Sequence, residues 1–204
     1  MDTNGELLIG GTSGPAVATL TAGAGIDITV GDGTIEIDGE TASSTNAGIV
    51  ELATTAETNT GSDTDRVVTP DGLAGSVHGE KVVQMVVVGF TTALTTGNGK
   101  FYFHVPSTLN GMNIVDVHAE VISAPAGSTI IIQLRNVTHS ADILSTLLTI
   151  DTSETGSDSA DIPVVINTSE DDLATNDLIA IDIDQVGSST AGSGLIVTLI
   201  CRLP

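Results

Sequence analysis

The chain has no tryptophan, one tyrosine, one cysteine and only five basic residues in 204. Each shortage excludes something. The lone Cys201 rules out an intrachain disulfide and any thiolate metal site. Five Lys and Arg against 26 Asp and Glu give a net charge of −21. That balance excludes nucleic acid as a partner, because phosphates must be neutralised by basic side chains. It argues equally against an anionic membrane surface. Aromatics at 2% leave few flat faces on which a sugar ring could stack. Long apolar runs are missing too. The longest, VVQMVVVGF at 82–90, suits a strand and falls far short of a membrane span, so no membrane insertion is expected. The opening MDTNGELLIGG has neither the basic nor the apolar region of a secretory signal, and none is expected.

Val, Ile, Leu and Ala supply most of the 40% hydrophobic content, accompanied by 23 Gly and abundant Ser and Thr. This composition favours short β-strands joined by tight turns over a helical bundle. The acid is spread along the chain: residues 1–80 carry 13 acids and one base, and residues 81–204 carry 13 and four. Such a surface keeps a particle soluble and leaves room for divalent cations.

Three segments are legible. In residues 1–45, small apolar groups (Leu7, Leu8 and Ile9; Leu20; Ile26 and Ile28; Ile35 and Ile37) recur every eight to ten residues, with Gly at nearly every break. The pattern predicts a fibrous meander of very short strands. Gly23-Ala24-Gly25 and Gly31-Asp32-Gly33 are turns and not phosphate cradles, since no long strand and helix flank them. One copy of this segment cannot close a core, and a structure of this kind needs a staple or oligomerisation.

Residues 46–80 carry two helix starts. Thr54-Thr55-Ala56-Glu57 fits a capping box, with Asn59 and Gly61 stopping the helix after little more than one turn. Thr69-Pro70-Asp71 offers an N-cap, a proline at the first helical position and an acid at the positive end of the dipole. Between them Arg66-Val67-Val68 reads as extended. Helices this short do not stand alone in water.

Residues 81–204 alternate with period two. Val115, Val117, Ala119 and Val121 are expected on one face against Asp116, His118 and Glu120. Ile130, Ile132 and Leu134 oppose Gln133 and Arg135, and Ile179, Ile181 and Ile183 oppose Asp182 and Asp184. Leu195, Val197, Leu199, Cys201 and Leu203 form the last apolar row. Further runs at 82–90, 99–105, 146–150 and 161–166 make about eight strands. The expected fold is therefore mainly β, ending in a C-terminal β-sandwich of jelly-roll type.

The second segment resembles the repeat of bacteriophage tail fibres. The resemblance rests on Ala47-Gly48-Ile49-Val50-Glu51-Leu52-Ala53-Thr54, Glu57-Thr58, Gly61, Asp63, Arg66, Val68-Thr69-Pro70 and Leu73. The first segment is similar to fibre sequence through Gly5-Glu6-Leu7-Leu8-Ile9-Gly10 and the stretch from Ala18 to Ile26. The resemblance implies a homotrimer on the virion, as a tail or baseplate fibre. Its N-terminal segment would attach to other virion proteins, and its distal domain would face a host-surface glycan or protein. Trimer contacts would then come from Leu7, Leu8, Ile9, Leu20, Ile26, Ile28, Ile35, Ile37, Ile49, Val50, Leu52, Val67, Val68 and Leu73. Two alternatives are a head or neck fibre or decoration protein with a purely structural role, and a fibre-borne polysaccharide depolymerase.

No catalytic constellation is expected. His78, His104, His118 and His139 are scattered, and no Ser sits in a nucleophile elbow. His118 between Asp116 and Glu120 reads as a solvated face, and Cys201 reads as core. Calcium is the one cofactor considered: Glu170, Asp171 and Asp172 with Asp177, or Asp182 and Asp184, offer oxygen ligands without EF-hand spacing. Recognition belongs to the loops 91–99, 151–160 and 185–194, with no single binding residue assigned.

Overall fold

The computed structural model describes residues 4–45 and 47–204. Residues 1–3 and Asn46, which open the first and second expected segments, lie outside the described residues. The chain is mainly β and divides into two compact units, residues 1–72 and 73–204. The first two expected segments share the first unit, apart from residues 73–80.

The first unit is a string of two-stranded pieces. β1 (Glu6–Ile9) pairs with β2 (Ala16–Thr19), and β3 (Ile26–Gly31) with β4 (Thr34–Gly39), both antiparallel. Asp32-Gly33 closes the second hairpin as a two-residue turn with Gly33 at φ +73°, the chemistry such turns favour. The register puts Ile28 opposite Ile37 and Val30 opposite Ile35 on one face. Asp27 opposite Asp38 and Thr29 opposite Glu36 occupy the other. The chain then turns back on itself: Ile49 N–H donates to the Glu40 carbonyl at 2.7 Å, and Ala42 N–H donates to the Ile49 carbonyl at 3.1 Å. Gly48 sits where the two passes meet. A Cβ there would lie 2.3 Å from the Glu40 carbonyl oxygen, so only glycine fits.

Both predicted helix starts form. Thr54 caps α1 (Thr55–Thr60) with both halves of the capping box in place, and Gly61 ends it in the left-handed region at φ +64°. Thr69 Oγ1 accepts from Gly72 N–H at 3.0 Å at the start of α2 (Pro70–Ala74). β5 (Glu51–Leu52) and β6 (Arg66–Val67) flank α1 and pair in parallel. Arg66, the one base of this unit, ties it together: its guanidinium meets Asp63, Glu51 at 3.1 Å and Glu57 at 3.2 Å.

The second unit has two large antiparallel sheets and a two-stranded one. β7 (Lys81–Val86), β9 (Met112–Ser123), β15 (Asp172–Leu173) and β17 (Ser193–Arg202) form one, in the order β15-β9-β17-β7. β8 (Gly97–His104), β10 (Ile130–Asn136), β11 (Ala141–Asp142) and β16 (Leu178–Gln185) form the other, in the order β11-β10-β16-β8. β13 (Leu148–Ile150) pairs with β10, while β12 (Leu144–Thr146) and β14 (Val165–Ile166) pair with each other. The late strands β16 and β17 sit between early ones in both sheets. Side chains of both sheets, among them Ile114, Val117, Ile132, Leu134, Ile181, Ile183, Leu195 and Val197, join one continuous buried cluster.

The alternation predicted for β10 holds: Ile130, Ile132 and Leu134 are buried. Four expectations change. In β9 the buried residues run Met112, Ile114, then Val117, Ala119 and Val121, leaving Val115 exposed. A bulge against β17 between Ile200 and Cys201 inserts one residue and flips the alternation. In β17, Leu195, Val197, Leu199 and Cys201 are fully buried, but Leu203 lies past the strand end and is exposed. Asp182, expected on a polar face, is buried, because β16 is central and Arg135 of β10 and the Gly99 amide of β8 close on its carboxylate from either side. The run 161–166 forms strand only at Val165–Ile166, after Pro163, whose nitrogen has no hydrogen to donate.

Candidate functional site

The three loops expected to carry recognition come together at one end of the second unit. Leu94 N–H donates to the Gly192 carbonyl at 2.9 Å, and Gly194 N–H donates to the Thr92 carbonyl at 3.1 Å. These bonds join loop 91–99 to loop 185–194. A fourth loop, 124–128, links both to loop 151–160: Ala126 N–H donates to Thr190 at 2.9 Å, and Ser153 N–H donates to Pro125 at 2.9 Å. This Ala-Pro-Ala-Gly-Ser stretch is not among the loops expected from the sequence, although its proline between two apolar runs is a turn signal. Gly187 makes the junction possible, since a Cβ there would fall 1.9 Å from the Thr190 carbonyl oxygen. Ser153 holds φ +70°, a left-handed conformation that a serine adopts only under constraint.

This end is polar, with Ser188, Ser189 and Thr190 exposed, and it carries two large apolar side chains in solvent. Phe90 and Ile122 are 54% and 56% exposed and both flank Gly194. A surface of hydroxyls with one exposed ring suits hydrogen bonding with limited stacking.

Loop 151–160 continues as a strap over β9. Val121 N–H donates to the Thr155 carbonyl, Ala119 N–H to Ser157 Oγ, and Ser157 N–H to the Ala119 carbonyl, all at 2.8–2.9 Å. Beneath the strap His118 stands between two carboxylates, Nδ1 at 2.6 Å from Asp158 and Nε2 at 3.1 Å from Asp116. The Asp158 hydrogen bond raises its pKa above the ordinary 6.5. Glu120, expected on the same polar face, lines the small cavity alongside, with Gln84 and Thr198. Both ring nitrogens of His118 are thus engaged by carboxylates, and in this geometry neither is turned to a hydroxyl.

The calcium candidates do not converge. Among the described residues no three His, Cys, Asp or Glu side chains lie together as a metal cage. Asp182 is committed elsewhere. Its Oδ2 receives Arg135 Nε at 2.9 Å and its Oδ1 receives Gly99 N–H at 2.5 Å, which pins a bulge of β8 to β16. The Asp182 carboxylate raises the pKa of Arg135 in return. Asp184 is exposed. Asp177 is buried and accepts from Asn136 at 2.9 Å and from Ala174 N–H at 3.1 Å, closing the turn before β16. Of the run Glu170-Asp171-Asp172, Asp172 is exposed and Asp171 is buried at 7% exposure. Asp171 Oδ2 receives only the Asn113 amide, at 3.3 Å, while Asp171 Oδ1 and Asn113 Oδ1 have neither solvent contact nor a donor among the described residues. Leaving a buried acceptor unpaired costs about 1–3 kcal/mol.

Cys201 is core as expected, and burial pushes its thiol up to about 11. The fourteen apolar residues expected at a trimer contact are all exposed, except Ile28 and Ile35, which are half-buried. Among the described residues no helix is long and apolar enough to cross a membrane. No family model matches the chain, and no curated protein matches it.

Proposed function

We propose that the chain is a non-enzymatic structural protein of a virion: a homotrimeric phage tail or baseplate fibre. In this reading residues 1–72 assemble with two further copies and with neighbouring virion proteins, and residues 73–204 form a β-sandwich of jelly-roll type that contacts the host surface. One observation carries it. Among the described residues of 4–72 the only buried ones are Gly25, Thr58 and Gly72, and none of their apolar side chains is buried. Hairpins with one apolar face, such as Ile28, Val30, Ile35 and Ile37, are marginal alone and gain their second layer from other copies. The resemblance of residues 47–73 to the tail-fibre repeat names the kind of assembly. Three copies also raise avidity when each loop-borne contact is weak.

Sedimentation equilibrium tests the assembly: the expected mass is three times 20.6 kDa. A monomer at micromolar concentration overturns it. Binding of the purified protein to host cells separates adhesion from a purely structural role in head or neck. Clearing of host polysaccharide would revive the depolymerase reading.

A further inference from the structure

β7 ends its sheet: β17 pairs with it on one side, and among the described residues no strand pairs with it on the other. An open edge is a template for another chain, and proteins blunt it with bulges, charges or short strands. β8, the end strand of the other sheet, is blunted in this way. A bulge interrupts its register with β16, Gly97 and Gly99 hold positive φ, and Lys100 stands within it. Past Lys81, β7 carries none of these, and its register with β17 is unbroken. The outward face is equally bare. Register sets Val82 opposite Ile200, Gln84 opposite Thr198 and Val86 opposite Ile196. Charge begins only in the third row, at Asp116, His118 and Glu120 of β9. Val82, Gln84 and Val86 are exposed. Glu80 and Arg202, at the foot of these rows, neutralise each other at 3.3 Å.

Charge and connection say what covers this face. Copies of a chain of net charge −21 repel wherever their acids face, so they meet most readily on a face that has none. β7 is also the first strand after the first unit, with only residues 73–80 between. Whatever gathers three first units therefore gathers three copies of β7. Tethering of this kind raises the effective concentration enough for a small apolar row to suffice. We propose that, in the homotrimer described above, on which this rests, the row of Val82, Gln84 and Val86 packs against the same row of the other two copies about the common axis. None of the fourteen residues expected at the trimer contact lies in this strand. The three loop-bearing ends are then held as one array instead of on separate tethers.

Cys201 is fully buried, so a cysteine placed on the row is the one accessible thiol of the full-length chain. In Val82→Cys, oxidation in air at micromolar concentration is expected to give a disulfide-linked pair of twice 20.6 kDa on a non-reducing gel. Three thiols about one axis close one bond, so the linked fraction stops at about two-thirds of the chains. Tyr102→Cys, exposed on the outward face of the other sheet, stays unlinked. Adding Val86→Asp to Val82→Cys abolishes the link, while the native mass remains three times 20.6 kDa. Gln84→Cys reads the same row if Val82→Cys does not fold. A trimeric mass with no link from this row, equal linking of Tyr102→Cys, or a link that survives Val86→Asp overturns this contact and leaves the assembly of the first unit standing. A monomeric wild type overturns both.

Discussion

The two units are built from the same residues and differ in whether those residues are covered. Both are rich in Val, Ile, Leu, Gly and Thr. In residues 73–204 alternation is sustained over strands of six to twelve residues, and two sheets close on Ile132, Ile181, Leu195 and their neighbours, all fully buried. Among the described residues of 4–72 no strand exceeds six residues and each sheet has two strands, with no second layer over them. Ile49 and Leu8 stand 66% and 65% exposed. Hydrophobic content alone does not make a core. The length over which a pattern is kept decides whether one chain suffices.

The sharpest way to break this comparison is to truncate one isoleucine in each unit. Ile181→Ala, in a central strand at 0% exposure, is expected to destabilise the second unit by about 2–5 kcal/mol, read from urea denaturation. Ile37→Ala, at 58% exposure, should leave that transition within about 0.5 kcal/mol. It should instead shift the mass distribution in sedimentation toward monomer. Equal destabilisation of the second unit by both would abolish the distinction between a self-sufficient unit and a dependent one.

Next in size is Asp182→Ala. It leaves Arg135 without its partner and frees the amide of Gly99 at the β8 bulge. Breaking a fully buried pair costs about 3–5 kcal/mol. Arg135 is 28% exposed and can regain water, so about 2–3 kcal/mol is expected. Chemical denaturation measures it, and Asp182→Asn should recover part of the loss through the Gly99 bond.

How much of this was legible depended on whether the signal was local. The helix starts at Thr54 and Thr69, the stop at Gly61 and the Asp32-Gly33 turn formed as read, because caps and tight turns are decided within four residues. The buried rows of β10 and β17 were legible through period two. What escaped was tertiary. The bulge that exposes Val115 depends on the partner strand, and Asp182 is buried because β16 happens to be central. The convergence of loops 91–99, 151–160 and 185–194 through Pro125 and Ala126 spans about a hundred residues of sequence, with no local mark. The pairing of Asn113 with Asp171 is equally remote.

A smaller effect sharpens the dependence of the first unit. Thr54→Ala removes the cap of α1, with a loss of about 1 kcal/mol. The readout is faster amide exchange at Thr58 and Gly61, whose N–H groups donate to the Thr54 and Glu57 carbonyls. The second unit's exchange should not change.

The smallest expected effect concerns pH and runs in opposite directions in the two units. In the first, Thr54 hydrogen bonds hold the pKa of Glu57 below the ordinary 4.5, and the Asp65 amide and Arg66 hold Asp63 below the ordinary 3.8. Their contribution is present above those values and is lost as pH falls through the lowered ones. In the second, the Asp158 hydrogen bond raises the pKa of His118 above 6.5. That contribution is full below 6.5 and is lost as pH rises through the raised value. The groups facing His118 are Asp158 on the strap, Asp116 on its own strand and Glu120 and Gln84 beside the cavity; none supplies a competing positive charge. His118 is 37% exposed, so the change between pH 6 and 8.5 should stay under about 1 kcal/mol. Protection factors, with the base-catalysed intrinsic exchange rate divided out, should fall at Ser157, Ala119 and Val121 over that interval, while those of α1 do not change. In His118→Asn the strap's protection factors should lose this pH dependence. A first unit that loosens in acid beside a strap that loosens in base would show that each unit is held by its own charges. A strap whose protection factors are flat with pH in the wild type would place its hold on the backbone bonds to β9 alone.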